Sequence, residues 1–422
     1  MGDREIMKTF AFVGNWGVML PPGGGPSGKG PGAKGEQSPL ANNLGIDVFS
    51  YENGDLSRIQ NISASISAGA MALSEDGSEL FVLDEKKDDG LHRGGGGGGS
   101  VFWYAFDEQK GTLSEISHTQ SLGVFPSYIC ISQDGRYALV TNHGGGRNPI
   151  TKTRYSQEKG YETVTEFDEG NVVLFEIDRE KRIMKAVDVD RHEGCSIGRS
   201  QFSPHPHSVH QLPGKNMFVV TDKGNDCFYM YEIRAGKLHL LEGSPLKGPE
   251  GYAPRYVAVN PDKPYIYCIN ENVPAVTVIE YDDHGHMSIK ETVEALFNVN
   301  RLHLTDDKGR PVKPDPADIV ITENGRYVYA SIRNKNALSM FQVSEDGSSL
   351  SLVNVQDCGG SNPRGLGISP DGKYLFVANL DSRTIRRFII DAESGNLIDS
   401  GMNTNAVHPA NIKLLTIGGD DK

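Results

Sequence analysis

The sequence predicts an all-β protein: a seven-bladed β-propeller of four-stranded antiparallel blades, its ring closed by strands from the N- and C-terminal ends of the chain. Three observations point there. One strand-turn-strand unit is written six times along the 422 residues. Apolar runs with a helical period of 3.6 are hard to find, and 50 glycines and 22 prolines supply turns for many short strands.

The copies start at Met71, Tyr128, His207, Tyr256, Ile319 and Leu366. Each reads as an apolar strand, a tight turn, a second apolar strand and an Asn/Asp-rich exit, as in "YVAVNPDKPYIYCINEN". Turn glycines stand at 77, 135, 214, 325 and 372, with Lys263 in the matching place of the fourth copy. The shorter intervals between them fit one blade, and the longer ones hold insertions. Further strand pairs lie between the copies, as in "NVVLFEIDREKRIMKAVDV" from Asn171 and "TIRRFIIDAESGNLIDS" from Thr384, so each unit has four strands. The seventh blade combines "KTFAFVGNWG" and "GIDVFSYENGDLSRI" from one end with "NAVHPANIKLL" from the other. Such closure removes sheet edges that would invite aggregation.

One domain over residues 1–422 is therefore expected, with three interruptions. Two Gly-rich stretches, at about 20–43 and 92–100, cannot bury a core and read as mobile loops. Neither ends in Gly-Lys-Ser/Thr before a helical pattern, so neither is a phosphate-binding loop. The third, a charged loop at about 147–170, is placed to cover a channel mouth.

Composition narrows the function classes. A formal net charge of −13 argues against a general affinity for nucleic acid or an anionic membrane. The start of the chain has no basic segment followed by an apolar core and a cleavage site, and no run reaches the ~18 apolar residues of a membrane span. A cytoplasmic protein is expected. Five scattered cysteines, without a CxxC pair, read as free thiols in a reducing compartment.

Blade topology decides which residues meet. The first strand runs along the central channel and the second returns, so strand starts and second-strand exits share one face. The starts carry Pro126-Ser-Tyr128, His205-Pro206-His207, Pro254-Arg255, Pro316-Ala-Asp318, Pro363-Arg364 and His408-Pro409-Ala-Asn411. The exits carry Asp84-Glu85, Asn142-His143, Asp222-Lys223, Asn270-Glu271, Arg333-Asn334 and Asn379. Histidines, arginines and carboxylates crowd this rim, whereas the opposite turns are mostly ordinary Asp-Gly and Asn-Gly. Asn142, Asn270 and Asn379 have an alternative role in capping loops. His205-x-His207 suggests a metal pair, but no third ligand of the usual spacing accompanies it, so no metal is expected.

With "HEGCSIGRSQFSPHPHSV" (His192 to Val209), "APRYVAV", "INEN", "ADIVI", "SIRN" and "NPRGLGIS", the chain resembles the seven-bladed propeller lactonase family, which includes propeller-type 6-phosphogluconolactonases and the fungal carboxymuconate-lactonizing enzyme. The resemblance runs from "FVGNWG" to "VHPANIKLL". It places the proposed catalytic set of the lactonizing members, a His, two Arg and a Glu, on His207, Arg255, Arg333 and Glu271. His205, Arg364, Asn142, Asn270 and Gln201 are the expected substrate-binding residues. Three departures stand out: Ser200 separates Arg199 from Gln201, Tyr256 stands where His commonly follows Pro-Arg, and Asp318 replaces a usual Glu.

The resemblance implies hydrolysis of a small anionic sugar lactone, 6-phosphogluconolactone first, by water attack without metal or cofactor. A muconate-type cycloisomerase and a non-catalytic propeller that binds a partner are the alternatives.

Overall fold

The computed structural model describes residues 8–17, 44–62, 65–88, 96–145, 149–198, 200–297 and 314–417. The expected loop at 20–43, and residues 92–95 of the one at 92–100, lie outside them. The described residues form seven four-stranded antiparallel blades in a ring. In chain order these are blade 1 (68–120), blade 2 (126–191), blade 3 (206–240, with a short fifth strand Leu246–Lys247), blade 4 (254–294), blade 5 (316–357) and blade 6 (363–405). Blade 7 is composite: strand Pro409–Ile417 is innermost and pairs with Lys8–Asn15, followed outward by Gly45–Glu52 and Asp55–Ile62. Among the described residues no helix is long and apolar enough to cross a membrane.

The second strand of each blade shows why the repeat folds this way. "ELFVLD", "YALVTN", "YIYCIN" and "YVYASI" are buried along their whole length. Alternate side chains point to opposite faces of a sheet, so a strand buried on both faces must be apolar throughout. In blade 4, Ile266 and Cys268 pack toward blade 3, while Tyr265, Tyr267 and Ile269 pack toward blade 5. The core is accordingly seven clusters, one between each pair of neighbouring blades. Each fully buried Leu, Ile or Phe contributes about 1.5–3 kcal/mol.

The turn between the first two strands is built from one local device. Ser132 Oγ donates to Asp134 (2.6 Å) and accepts from the Tyr137 amide (2.9 Å), and Gly135 takes φ +68°. Ser369, Asp371 and Gly372 repeat it in blade 6, and Thr322, Asn324 and Gly325 in blade 5. Only glycine adopts this φ without strain.

One expectation is corrected. The charged stretch at 147–170 is not a loop: Ile150–Ser156 and Gly160–Glu166 form a separate antiparallel hairpin inserted between the second and third strands of blade 2. Tyr155 pairs with Tyr161 across it, Thr151 and Thr153 alternate with Lys152 and Arg154, and Thr163 and Thr165 alternate with Glu162, Val164 and Glu166. Mixed charge masked this strand pattern.

Candidate active site

The same irregularity opens every innermost strand. Its first residue, Pro in six blades and Ala68 in blade 1, pairs with the last residue of the second strand, and the register then slips by one. The extra residue is Gly69, Ser127, His207, Arg255, Arg364 or Ala410, and in blade 5 Ala317 and Asp318 together face Ser331. A bulge of this kind re-aims a side chain at the rim of a barrel or ring.

A second ring surrounds the first. The residue just after the second strand is Glu85, His143, Lys223, Glu271, Arg333 or Leu380 in blades 1 to 6, and Trp16 in blade 7. Each donates its amide to the carbonyl of the residue before the opening strand, as Glu271 does to Ala253 (2.8 Å) and Lys223 to His205 (3.1 Å). Phe125, Ala253, Asp315 and Asn362 receive such bonds with φ between +52° and +60°.

Glu271 is the hub of the cluster. Its Oε1 accepts from Lys223 Nζ at 2.8 Å and its Oε2 from Arg255 Nε at 3.1 Å. Arg333 and His207 Nε2 approach the same Oε2 at 3.7 and 3.9 Å. Arg333 is held from behind by Asp315, through the carboxylate at 2.8 Å and the backbone carbonyl at 2.9 Å. Across the rim, Arg364 donates to Glu85 (3.1 Å) and lies 4.3 Å over the Trp16 ring.

The surroundings of His207 favour its neutral form. Burial, then the charges of Arg255 and Lys223, hold its pKa well below the ordinary 6.5. Its Nδ1 is buried without a partner. Burial likewise depresses His143, whose ring meets His207 edge-on at 5.5 Å. Arg333 is lowered by burial, with Arg255 and Arg364 contributing. Four cations here face three carboxylates.

The structure sorts the sequence-predicted residues. It brings together His207, Arg255, Glu271 and Arg333, with Arg364 across the opening. Arg255 is 2% exposed, anchored to Glu271 and the Ala317 carbonyl and stacked on Tyr256, so it positions the carboxylate and adds field without reaching the mouth. His205 stacks on His143 at 4.3 Å and turns Nδ1 to the His143 carbonyl, so it does not pair with His207 around a common point.

Asn142, Asn270 and Gln201 do not face the mouth, and each is fully buried. Asn142 donates to Ser121 O and Asn171 Oδ1, and Asn270 to Ala275 O and Thr277. Gln201 spends its amide on Lys223 O, Asp226 and the Gly198 amide. For the two asparagines the reason is register: the last residue of the second strand faces into its own blade, and the next one faces the rim. Lys223, His143, Glu85 and Trp16 were missed as site residues. For the first three the signal was in the exits, at the second position of each pair; Trp16 follows Asn15 in the same way at the end of "FVGN".

The ring of seven blades, with a carboxylate-imidazole pair among guanidiniums at its mouth, is the architecture of a propeller with a candidate active site at one rim. The chain belongs to the lactonase family of seven-bladed β-propellers, whose model matches residues 36–414. It is 24% identical over 364 residues to a 6-phosphogluconolactonase of Formosa agariphila, covering 84% of this chain and 90% of that one. It is 28% identical over 349 residues to another from Pectobacterium carotovorum, covering 82% and 87%. Among solved structures it resembles the periplasmic gluconolactonase of Pseudomonas aeruginosa, with a TM-score of 0.76 and 22% identity over 97% of this chain and 99% of that one.

Proposed function

We propose that the chain hydrolyses a phosphorylated sugar lactone, 6-phosphogluconolactone to 6-phosphogluconate, at the rim of blades 3 to 5. The observation that carries this reading is the junction at Glu271, where one carboxylate orders Lys223, Arg255 and Arg333 around a neutral His207.

Each group has a task that its chemistry suits. Water attacks the lactone carbonyl carbon, and His207 takes the water proton as a new C–O bond forms. The carbonyl oxygen becomes negative, and Arg333 and Lys223 stabilise that charge at the rim. As the intermediate collapses, the ring C–O bond breaks and the proton passes to the departing ring oxygen. Glu271 stabilises the transient imidazolium and fixes the cations. The 3.9 Å gap between His207 and Glu271 is long for a hydrogen bond and is expected to shorten around substrate. Arg364 receives the phosphate, since a guanidinium binds its oxygens bidentately.

The names of the Formosa and Pectobacterium relatives support the phosphorylated substrate, and that of the Pseudomonas neighbour supports lactone opening without phosphate. The deciding experiment compares kcat/KM for 6-phosphogluconolactone, gluconolactone and carboxymuconate on one preparation. A clear preference for the first is expected; turnover of carboxymuconate alone would replace hydrolysis by cycloisomerisation. A cytoplasmic setting suits five free thiols, three of them buried.

A further inference from the structure

Along the innermost strands lies a cavity of about 360 Å³ that the reaction above does not use. Its wall includes Tyr128, His210, Tyr256, Asp318, Asn411 and Lys413. Tyr256 is shared with the rim, where its ring carries Arg255 at 4.3 Å and meets His207 at 5.3 Å. The size lies at the lower end of the ~300–1,000 Å³ of small-molecule sites.

Lys413 is on the innermost strand of blade 7, two residues beyond Asn411 and on the same side of the strand. Among the described residues its ammonium has no hydrogen bond or ion pair. Burial lowers its pKa, and the field of Asp318 offsets that only in part. Asp318 is engaged elsewhere: its two oxygens accept from the amides of Ile319 (2.8 Å) and Leu366 (2.9 Å). Asn411 is 6% exposed, lines the cavity, and its Oδ1 is unpartnered. The amide orientation is interchangeable, so either end of it can serve a ligand. His210 leans on Tyr128 at 4.6 Å, and its Nε2 is also without a partner.

A buried lysine whose nearby carboxylate, Asp318, is bound to two backbone amides and not to it, beside two unsatisfied polar groups, is an unusual set for the interior of a protein. We infer that this cavity is a second binding site, for a small oxyanion of the phosphate or carboxylate class, gripped by Lys413 and ordered by Asn411 and His210. The site is separate from the rim, and its existence does not depend on which lactone is opened there. Its occupant completes the polar contacts of the channel wall.

The test uses inorganic phosphate titrated calorimetrically into the full chain at constant ionic strength. Wild type, Lys413→Met, Lys413→Arg, Asn411→Asp and the rim variant Arg364→Met are compared. The channel component is expected in wild type, Lys413→Arg and Arg364→Met. Lys413→Met should weaken it by about tenfold or more, the usual weight of a charge-assisted contact. Asn411→Asp should do the same by giving Lys413 a fixed carboxylate. Lactone turnover of Lys413→Met should stay within about twofold of wild type, which shows that the variant is folded. Phosphate isotherms that are identical in wild type and Lys413→Met overturn the proposal. So does a single binding component that disappears with Arg364→Met, because phosphate would then bind only at the rim.

Discussion

Two arcs of the same rim can be compared blade by blade, because their backbones are the same. In blades 3 to 5 the bulge and exit positions hold His207, Arg255, Lys223, Glu271 and Arg333, and four of these converge on the carboxylate of the fifth. In blades 6, 7 and 1 the same positions hold Arg364, Leu380, Ala410, Trp16, Gly69 and Glu85, with one ion pair and one ring contact. Bulges and amide-to-carbonyl ties recur in both arcs. The scaffold therefore offers seven equivalent stations that differ in side chains alone, and the proposed function assigns the chemistry to one arc and the holding of the substrate to the other.

If that division is right, damage in the dense arc should appear in kcat and damage in the sparse arc in KM. The largest effects are expected from Glu271→Gln and His207→Asn. Each should lower kcat on the lactone by about 10²–10⁴-fold, the usual weight of a positioned acid-base group. Glu271→Gln should also cost stability, on the order of 3–5 kcal/mol, since it leaves Arg255 buried without its carboxylate. Steady-state kinetics beside a denaturant melt checks both. Near-normal kcat in His207→Asn would move the chemistry out of this arc.

Next in size is Arg364→Met in the sparse arc. KM for 6-phosphogluconolactone should rise by about tenfold with kcat nearly kept, while KM for gluconolactone should hardly move. Equal losses on both lactones would mean that Arg364 does not read the phosphate, and the two arcs would share one task.

The fold was legible because it rests on local chemistry repeated in series: apolar second strands, Asp-Gly turns, and proline at the channel strands. The rim was legible down to the exit pairs, where Glu271 was chosen but Asn270 was added beside it and Asn142 was taken without His143. Asn142 and Asn270 are last in their strands and face into the blade, whereas His143 and Glu271 stand one position on. Because the side-chain period of a strand is two, a shift of one reverses every direction. The bulges were not legible, since nothing in "PHS" or "PRY" marks the slip in register that turns His207 and Arg255 toward Glu271. The hairpin at 150–166 was hidden by charges that its exposed faces tolerate.

A smaller effect is expected from Lys223→Met, and it concerns pH. Lys223 is among the charges that hold His207 below its ordinary pKa, and the paired Glu271 acts in the opposite direction. His207 must be neutral to take a proton, so activity is lost as pH falls through its pKa. In wild type that acid limb is expected below pH 6.5. Removing the like charge favours the imidazolium and raises the pKa, and releasing Glu271 from Lys223 acts in the same sense. The limb of kcat/KM should therefore move to higher pH. An unmoved limb in Lys223→Met would show that the titrating group is not His207.

The smallest effect is reserved for the sparse arc, at Gly69. A Cβ built there would collide with the Glu85 carboxylate and lie 3.1 Å from Cδ1 of Trp16, the two partners of Arg364. Blade 1 thus uses its bulge to leave room, where blades 3 and 4 use theirs to present His207 and Arg255. In Gly69→Ala the Glu85 side chain must swing aside, which loosens Arg364 without removing it. KM for the phosphorylated lactone should rise by roughly two- to threefold, well under the loss in Arg364→Met. The double variant Gly69→Ala with Arg364→Met should be no worse than Arg364→Met alone, because the alanine acts only through that arginine. Additive losses would instead place Glu85 or Trp16 in direct contact with the substrate, and the sparse arc would then be a second wall of the site with its own contacts.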